Sequence, residues 1–110
     1  MVESSAKHGF VFDRKPNNDI YLTPVAEHKW TLVWLHGLGD TAEGFLNQFY
    51  SDNSLVPNQK TKVILLNSPK QPVTMFSGQV MNSWYNMLEM KGEQYIIDET
   101  SVAKSTRRIT

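Results

Sequence analysis

The chain has 110 residues, room for one small domain, and its 40% apolar and 20% charged positions are those of an ordinary globular protein. Eleven Lys and Arg balance eleven Asp and Glu, so no strong field gathers nucleic acid or anionic lipid by long-range attraction, and no nucleic-acid partner is expected. Cysteine is absent, which excludes disulfides, thiolate metal sites and a Cys nucleophile together and fits a reducing compartment.

In chain order, Met1 to Phe10 carries neither a cationic stretch followed by an apolar core nor a Gly at position 2, so a secretory leader and a myristoyl anchor are not expected. The apolar runs Leu32 to Leu35 and Val63 to Leu66 fall far short of the roughly 20 residues that span a bilayer. These features predict a cytoplasmic protein with no integral membrane segment. Val11, Phe12, Ile20 and Tyr21 sit in two β-prone stretches separated by the turn formers Lys15-Pro16-Asn17-Asn18, which predicts an antiparallel edge hairpin within residues 1–25. Trp30-Thr31-Leu32-Val33-Trp34-Leu35 is apolar without alternation and runs at once into glycines, the pattern of a strand covered on both faces.

Ala42, Phe45, Leu46, Phe49 and Tyr50 recur at spacings of three and four, predicting one amphipathic helix with Asp40 or Thr41 at its cap. Gly44 inside it costs up to about 1 kcal/mol relative to Ala. Lys62-Val63-Ile64-Leu65-Leu66 follows the turn formers Pro57-Asn58-Gln59-Lys60 and reads as a second buried strand. About 25 residues separate the two strands, enough for a right-handed crossover, so residues 30–66 form a βαβ unit. Residues 67–97 contain Pro69, Pro72 and Gly78 but also Val73, Met75, Phe76, Val80, Met81, Trp84 and Tyr85, too apolar for a plain solvated loop. Asp98 caps a helix over 98–110 that stops before an apolar stripe develops. Without an internal repeat, low-complexity tract or linker, the expected organisation is a single partial α/β domain.

A buried strand entering His36-Gly37-Leu38-Gly39-Asp40 and then a helix places backbone N–H groups at the carboxyl edge of a parallel sheet, where open α/β folds bind ligands. Glycines let that backbone turn tightly and expose amides, which is what an oxyanion hole requires: donors already aimed at charge developing on a carbonyl oxygen. Leu38 is the candidate donor.

Leu35-His36-Gly37-Leu38-Gly39-Asp40-Thr41, Pro69-Lys70-Gln71-Pro72-Val73-Thr74 and Met81-Asn82-Ser83-Trp84-Tyr85, in that order and spacing, resemble the acyl-protein thioesterase and small carboxylesterase family. The resemblance covers roughly Thr31 to Tyr85. It implies the N-terminal portion of an α/β-hydrolase fold, with an incomplete, mostly parallel sheet and an antiparallel edge ribbon. It also implies hydrolysis of acyl thioesters or carboxylic esters by Ser, Asp and His, without a cofactor, on acylated proteins or small acyl esters. Carried over residue by residue, Leu38 matches the oxyanion N–H donor, and His36, Gly37 and Gly39 belong to the loop that shapes it. Met75, Met81 and Trp84 lie in the segment that lines the acyl channel, where soft Met side chains suit a lipid-like tail.

The chain departs from the family pattern at Asn86, where Asp is usual, and at Phe76-Ser77-Gly78, where more glycine is usual. A larger departure is that none of the nine serines has Gly two positions away on both sides, so the 110 residues contain no Gly-x-Ser-x-Gly nucleophile elbow. The triad is expected beyond Thr110, and these residues alone are expected to be inactive. The competing class is a non-catalytic domain of the same fold that binds acyl chains or a partner.

Blander roles compete for several residues. His36 is expected to hold the loop rather than to act as the triad base, since that His follows the nucleophile in chain order. His8, His28 and His36 lack metal-ligand spacing, so no metal is expected. Gly37-x-Gly39 followed by Gly44 lacks the Lys-Ser/Thr of a phosphate loop and the third-glycine spacing of a dinucleotide fold. Ser77 is expected to be an ordinary loop residue. With one crossover helix, part of the sheet is left uncovered, which predicts marginal stability and possible self-association through exposed sheet.

Overall fold

A computed structural model describes residues 7–52, 54–56 and 60–110. Met1 to Ala6, read above as part of a leaderless start, and Pro57, Asn58 and Gln59, read as turn formers, lie outside the described residues. The chain divides into two compact units. One comprises Met1–His36 and Thr41–Asn67; the other comprises Gly37–Asp40 and Ser68–Thr110.

In the first unit, β1 (Phe10–Arg14) and β2 (Ile20–Pro24) pair antiparallel, with Phe12 opposite Leu22. Their connection closes on Asn18, whose φ of 73° is a left-handed conformation that Asn tolerates, and on Asp19, whose backbone N–H donates to Asn17 Oδ1 at 3.0 Å. β3 (Trp30–Leu35) and β4 (Thr61–Leu66) pair in parallel, Leu32 beside Val63 and Trp34 beside Leu65. The sheet order β1-β2-β4-β3 is mixed, because β2 also meets β4 antiparallel. Between β3 and β4 the predicted helix is present but short and split into a 3-10 turn (Glu43–Phe45) and α1 (Leu46–Phe49). Gly44 lies in the first piece, where its N–H donates to Thr41 Oγ1 at 3.0 Å; the N-cap position itself is Ala42, not Asp40 or Thr41.

The core of this unit lies on one sheet face. Ile20, Leu22, Val63 and Leu65 are fully buried there with Phe49 and Ala42, and the Trp34 ring meets Phe45 and Phe49 at centroid distances of 5.3 and 5.4 Å. The expectation that Trp30–Leu35 is covered on both faces is corrected. β3 is an edge strand, Trp30 is 63% exposed, and Val33 and Leu35 are exposed as well. Uninterrupted apolar letters identify a strand but not its neighbours: among the described residues α1 covers one face only, and β3 pairs with β4 alone.

The second unit replaces the apolar segment read over 67–97 with regular structure. β5 (Lys70–Val73) and β6 (Gln79–Asn82) form a hairpin around a 3-10 turn (Thr74–Phe76), with Gln71 opposite Met81. β7 (Met87–Lys91) and β8 (Gln94–Ile97) form another, which the sequence reading did not anticipate. α2 (Glu99–Ile109) starts at the predicted cap, the Asp98 carboxylate accepting from Ser101 N–H at 3.0 Å. No helix among the described residues is long and apolar enough to cross a membrane.

Candidate functional site

After β3 the chain passes through His36, which is buried, and enters the short loop Gly37–Asp40. Within the second unit this loop is tied down by two of its own amides. Gly39 N–H donates to the Asn82 carbonyl at 2.8 Å and Asp40 N–H to the Gly37 carbonyl at 3.1 Å. Leu38 N–H donates to none of the described residues, and the residue is 40% exposed. With the next two amides committed, the Leu38 donor is held in a fixed orientation, the preorganisation that stabilising a developing oxyanion needs.

The two loop glycines are constrained in different ways. Gly39 has φ +80°, where an L side chain is strained although a Cβ would meet nothing within 4 Å. Gly39→Ala is therefore expected to cost about 1–2 kcal/mol in urea denaturation, and Gly39→Asn less, because Asn tolerates left-handed backbone. Gly37 is limited by space: a Cβ there would lie 3.2 Å from Asp40 Oδ2.

Asn82 is the residue through which the sequence motifs meet. Its carbonyl holds Gly39, while its buried side-chain Nδ2 donates to the Ser68 carbonyl at 3.0 Å. Beside it, Ser83 N–H donates to the Pro69 carbonyl at 3.0 Å and Gln71 Nε2 to the Ser83 carbonyl at 2.9 Å. The Gly37–Asp40 loop, the Pro69–Gln71 stretch and the Asn82–Ser83 stretch are thus joined by hydrogen bonds inside one unit. Met81 on β6, Met75 in the 3-10 turn and Trp84 just past β6 are all half-buried in this unit. Trp84 is held from α2: its carbonyl accepts from the Ser105 hydroxyl, and the Arg108 guanidinium lies 5.8 Å from its ring centroid. Ser77 closes the 3-10 turn in left-handed conformation, φ 57°, and is exposed. Among the described residues no three His, Cys, Asp or Glu side chains gather into a metal-binding group.

The sequence reading missed the polar residues that brace these elements. Asn86 Oδ1 accepts from Thr74 N–H at 2.8 Å, its Nδ2 donates to Thr74 Oγ1 at 2.9 Å, and its own N–H donates to Ser101 Oγ at 2.8 Å. The only signal was its departure from the family's usual Asp. That Asp would also accept from Thr74 N–H, and the Thr74 hydroxyl can rotate to donate to it. Asn86→Asp is therefore expected to shift stability by less than about 0.5 kcal/mol, whereas Asn86→Leu, which removes both bonds to Thr74 and leaves its exposed N–H to water, should cost about 0.5–1.5 kcal/mol. Thermal melts of the two variants test the difference. In the first unit, Asp19 Oδ1 accepts from Asn67 N–H at 2.7 Å and Asn67 Oδ1 from Ala42 N–H at 2.8 Å, which fastens the first helical turn to the end of β4.

A mixed sheet with a parallel β3–β4 crossover, a glycine loop presenting an unspent amide and an apolar hairpin segment beside it together define part of an α/β-hydrolase. Residues 19–110 match the Phospholipase/Carboxylesterase family, and the chain belongs to that family. Acyl-protein thioesterase 1 of Schizosaccharomyces pombe is 30% identical over 95 residues, which are 84% of this chain and 39% of that protein. Acyl-protein thioesterase 1 of Mycosarcoma maydis is 36% identical over 84 residues, 72% of this chain and 33% of that one. Among solved structures, Zea mays acyl-protein thioesterase 2 superposes with a TM-score of 0.69 at 26% identity, covering 83% of this chain and 37% of that chain. The chain thus spans between 33% and 39% of the length of these relatives.

Proposed function

We propose that this chain is the oxyanion-loop and acyl-binding part of a cytoplasmic serine hydrolase that cleaves acyl thioesters or carboxylic esters, with acylated proteins as substrates. The observation that carries the reading is the Leu38 N–H, left without an acceptor among the described residues on a loop whose Gly39 and Asp40 amides are both committed. In this mechanism Leu38 N–H donates to the carbonyl oxygen of the scissile group as it gains negative charge, and Gly37 and Gly39 hold the backbone that aims it. Met75, Met81 and Trp84 receive the first methylenes of the acyl chain. The names of the relatives support acylated protein as the substrate class.

The chemistry also needs a nucleophile, and none of the nine serines here lies in a Gly-x-Ser-x-Gly elbow. That observation favours a second reading, a non-catalytic domain that binds acyl chains or a partner. A fluorophosphonate probe is expected to leave the 110 residues unmodified, and one stoichiometric adduct, read by intact-mass spectrometry, would show a nucleophile within them. Sequencing the transcript past the codon for Thr110 separates the two readings. An in-frame Gly-x-Ser-x-Gly with later Asp and His supports the hydrolase, and a stop codon supports the binding domain.

A further inference from the structure

We propose that Asn82 is a positioning residue for the Leu38 donor, its buried side chain fixing the peptide plane from which the Gly37–Asp40 loop hangs; the inference rests on reading Leu38 N–H as the oxyanion donor. No peptide bond among the described residues is cis, so the carbonyl of one residue and the N–H of the next point in opposite directions within one rigid plane. Two such planes flank the Leu38 Cα. In the first, Leu38 N–H stands opposite the Gly37 carbonyl, which accepts from Asp40 N–H at 3.1 Å. In the second, the Leu38 carbonyl stands opposite Gly39 N–H, which donates to the Asn82 carbonyl at 2.8 Å. The first bond closes the loop on itself, and the second ties it to β6. With both planes held, the dihedrals at Leu38 are set and its N–H has one direction.

The Asn82 carbonyl is itself held through the plane it shares with Ser83. Ser83 N–H, on the opposite side of that plane, donates to the Pro69 carbonyl at 3.0 Å, so one rigid unit bridges Pro69 and Gly39. A plane held by one bond at each edge can still turn about the line joining them. The Asn82 side chain stops that turn. Asn82 is the last residue of β6, paired with Lys70, and its Nδ2 donates to the Ser68 carbonyl at 3.0 Å. Ser68 and Pro69 are consecutive, and Pro69 has no N–H to offer the pairing. The Asn82 amide and Ser83 N–H therefore grip two successive carbonyls of the same stretch, and Gln71 Nε2 adds a bond to the Ser83 carbonyl at 2.9 Å.

The residue type at position 82 points to the bond and not to packing. Asn82 is buried, as are Ser68 and Ser83 on either side of the contact. Asn is depleted in strands, and burying its amide costs free energy unless the amide is hydrogen-bonded. An apolar side chain of similar volume would fill the same place without that cost, but it would not hold the Ser68 carbonyl. Removing the amide leaves every backbone group of the loop in place. The turn still closes through Gly37 and Asp40, while its anchor on β6 loosens. A misplacement of the donor by about 1 Å is enough to cost on the order of a hundredfold in rate.

The first measurement is nuclear magnetic resonance of the 110-residue chain labelled with nitrogen-15. Gly39 N–H is expected to be protected from hydrogen exchange, while Leu38 N–H exchanges freely yet is as rigid as the strands, with an order parameter of about 0.85. Rapid exchange at Gly39 beside a rigid Leu38 would overturn the proposal without any variant. In Asn82→Leu, which keeps the buried volume, the Leu38 order parameter should fall below about 0.6 and the Gly39 protection should be lost. Asn86→Leu, which removes side-chain bonds elsewhere in the same unit, should leave both as in the parent; equal effects of the two variants would mean a general loosening and overturn the proposal. In a hydrolase in which this segment is joined to its nucleophile, Asn82→Leu is expected to lower kcat by about ten- to a hundredfold with KM within about twofold. Leu38→Pro separates the two readings there. If it leaves kcat at the parent value, the oxyanion reading falls and the proposal with it. If it lowers kcat while Asn82→Leu does not, the oxyanion reading stands and the proposal alone is overturned.

Discussion

Phe49→Ala is expected to unfold the first unit, or to leave it folded only in the absence of denaturant. Phe49 is 1% exposed, stands edge-on to the Trp34 ring at 5.4 Å, and is the largest fully buried side chain in the core with Ile20, Leu22, Val63 and Leu65. Truncating a buried Phe costs about 3–5 kcal/mol through lost transfer energy and the cavity left behind. A chain of this length has about 5–15 kcal/mol to lose. The 110 residues taken alone are expected to sit low in that range, because α1 covers a single sheet face and β3 leaves Trp30, Val33 and Leu35 exposed. Circular dichroism in urea should show the midpoint falling by more than half, with the Trp34 emission shifting to the red. Val33→Thr, a change at an exposed position of the same sheet, should move stability by less than about 0.5 kcal/mol. A Phe49→Ala protein as stable as the parent would place the stabilising core elsewhere.

The contrast between Phe49 and Val33 shows where sequence reasoning reaches and where it stops. The β1–β2 hairpin was legible because Lys15-Pro16-Asn17-Asn18 has few conformations other than a turn, and the β3–β4 crossover because two apolar runs flank one helical period. The coverage of β3 was not legible, because an apolar letter records a preference for burial and not the element that supplies it. β7–β8 was hidden for a different reason. Glu89, Lys91 and Glu93 interrupt what would otherwise look like an apolar run, and the register shift at Leu88 breaks the alternation by which a half-exposed strand is recognised. The one local cue was Gly92 at the first position of a two-residue connection.

The candidate site divides in the same way. His36, Gly37, Leu38 and Gly39 are contiguous, so their spacing can be read directly. The bonds that brace each unit act across long separations: Asn82 holds Gly39 in the second, and Asp19 reaches Asn67 across 48 positions in the first. Polar side chains such as Asn82, Asn86 and Asp19 look like surface residues in a sequence. They become recognisable only when a backbone group arrives to be satisfied, since a buried amide without a partner is costly.

If Leu38 N–H is the oxyanion donor proposed above, removing that one amide has a large and specific effect. In a hydrolase in which this segment is joined to its nucleophile, Leu38→Pro is expected to lower kcat by about 10²–10³ with KM little changed, the loss measured when one oxyanion donor is removed. Proline deletes the N–H and leaves the chain otherwise continuous. Its demand on the preceding residue falls on Gly37, the residue type with the widest conformational range, and Leu38 is not among the residues with positive φ. Leu38→Ala, which keeps the amide and removes most of the exposed side chain, should retain kcat within about threefold. The pair separates the amide from the side chain, because an apolar contact to the acyl chain would make Ala the more damaging change and would appear in KM. Equal, small effects of both substitutions would show that the developing charge is stabilised elsewhere, and the unspent amide at Leu38 would then be a consequence of the turn that Gly37 and Gly39 impose rather than the reason for it.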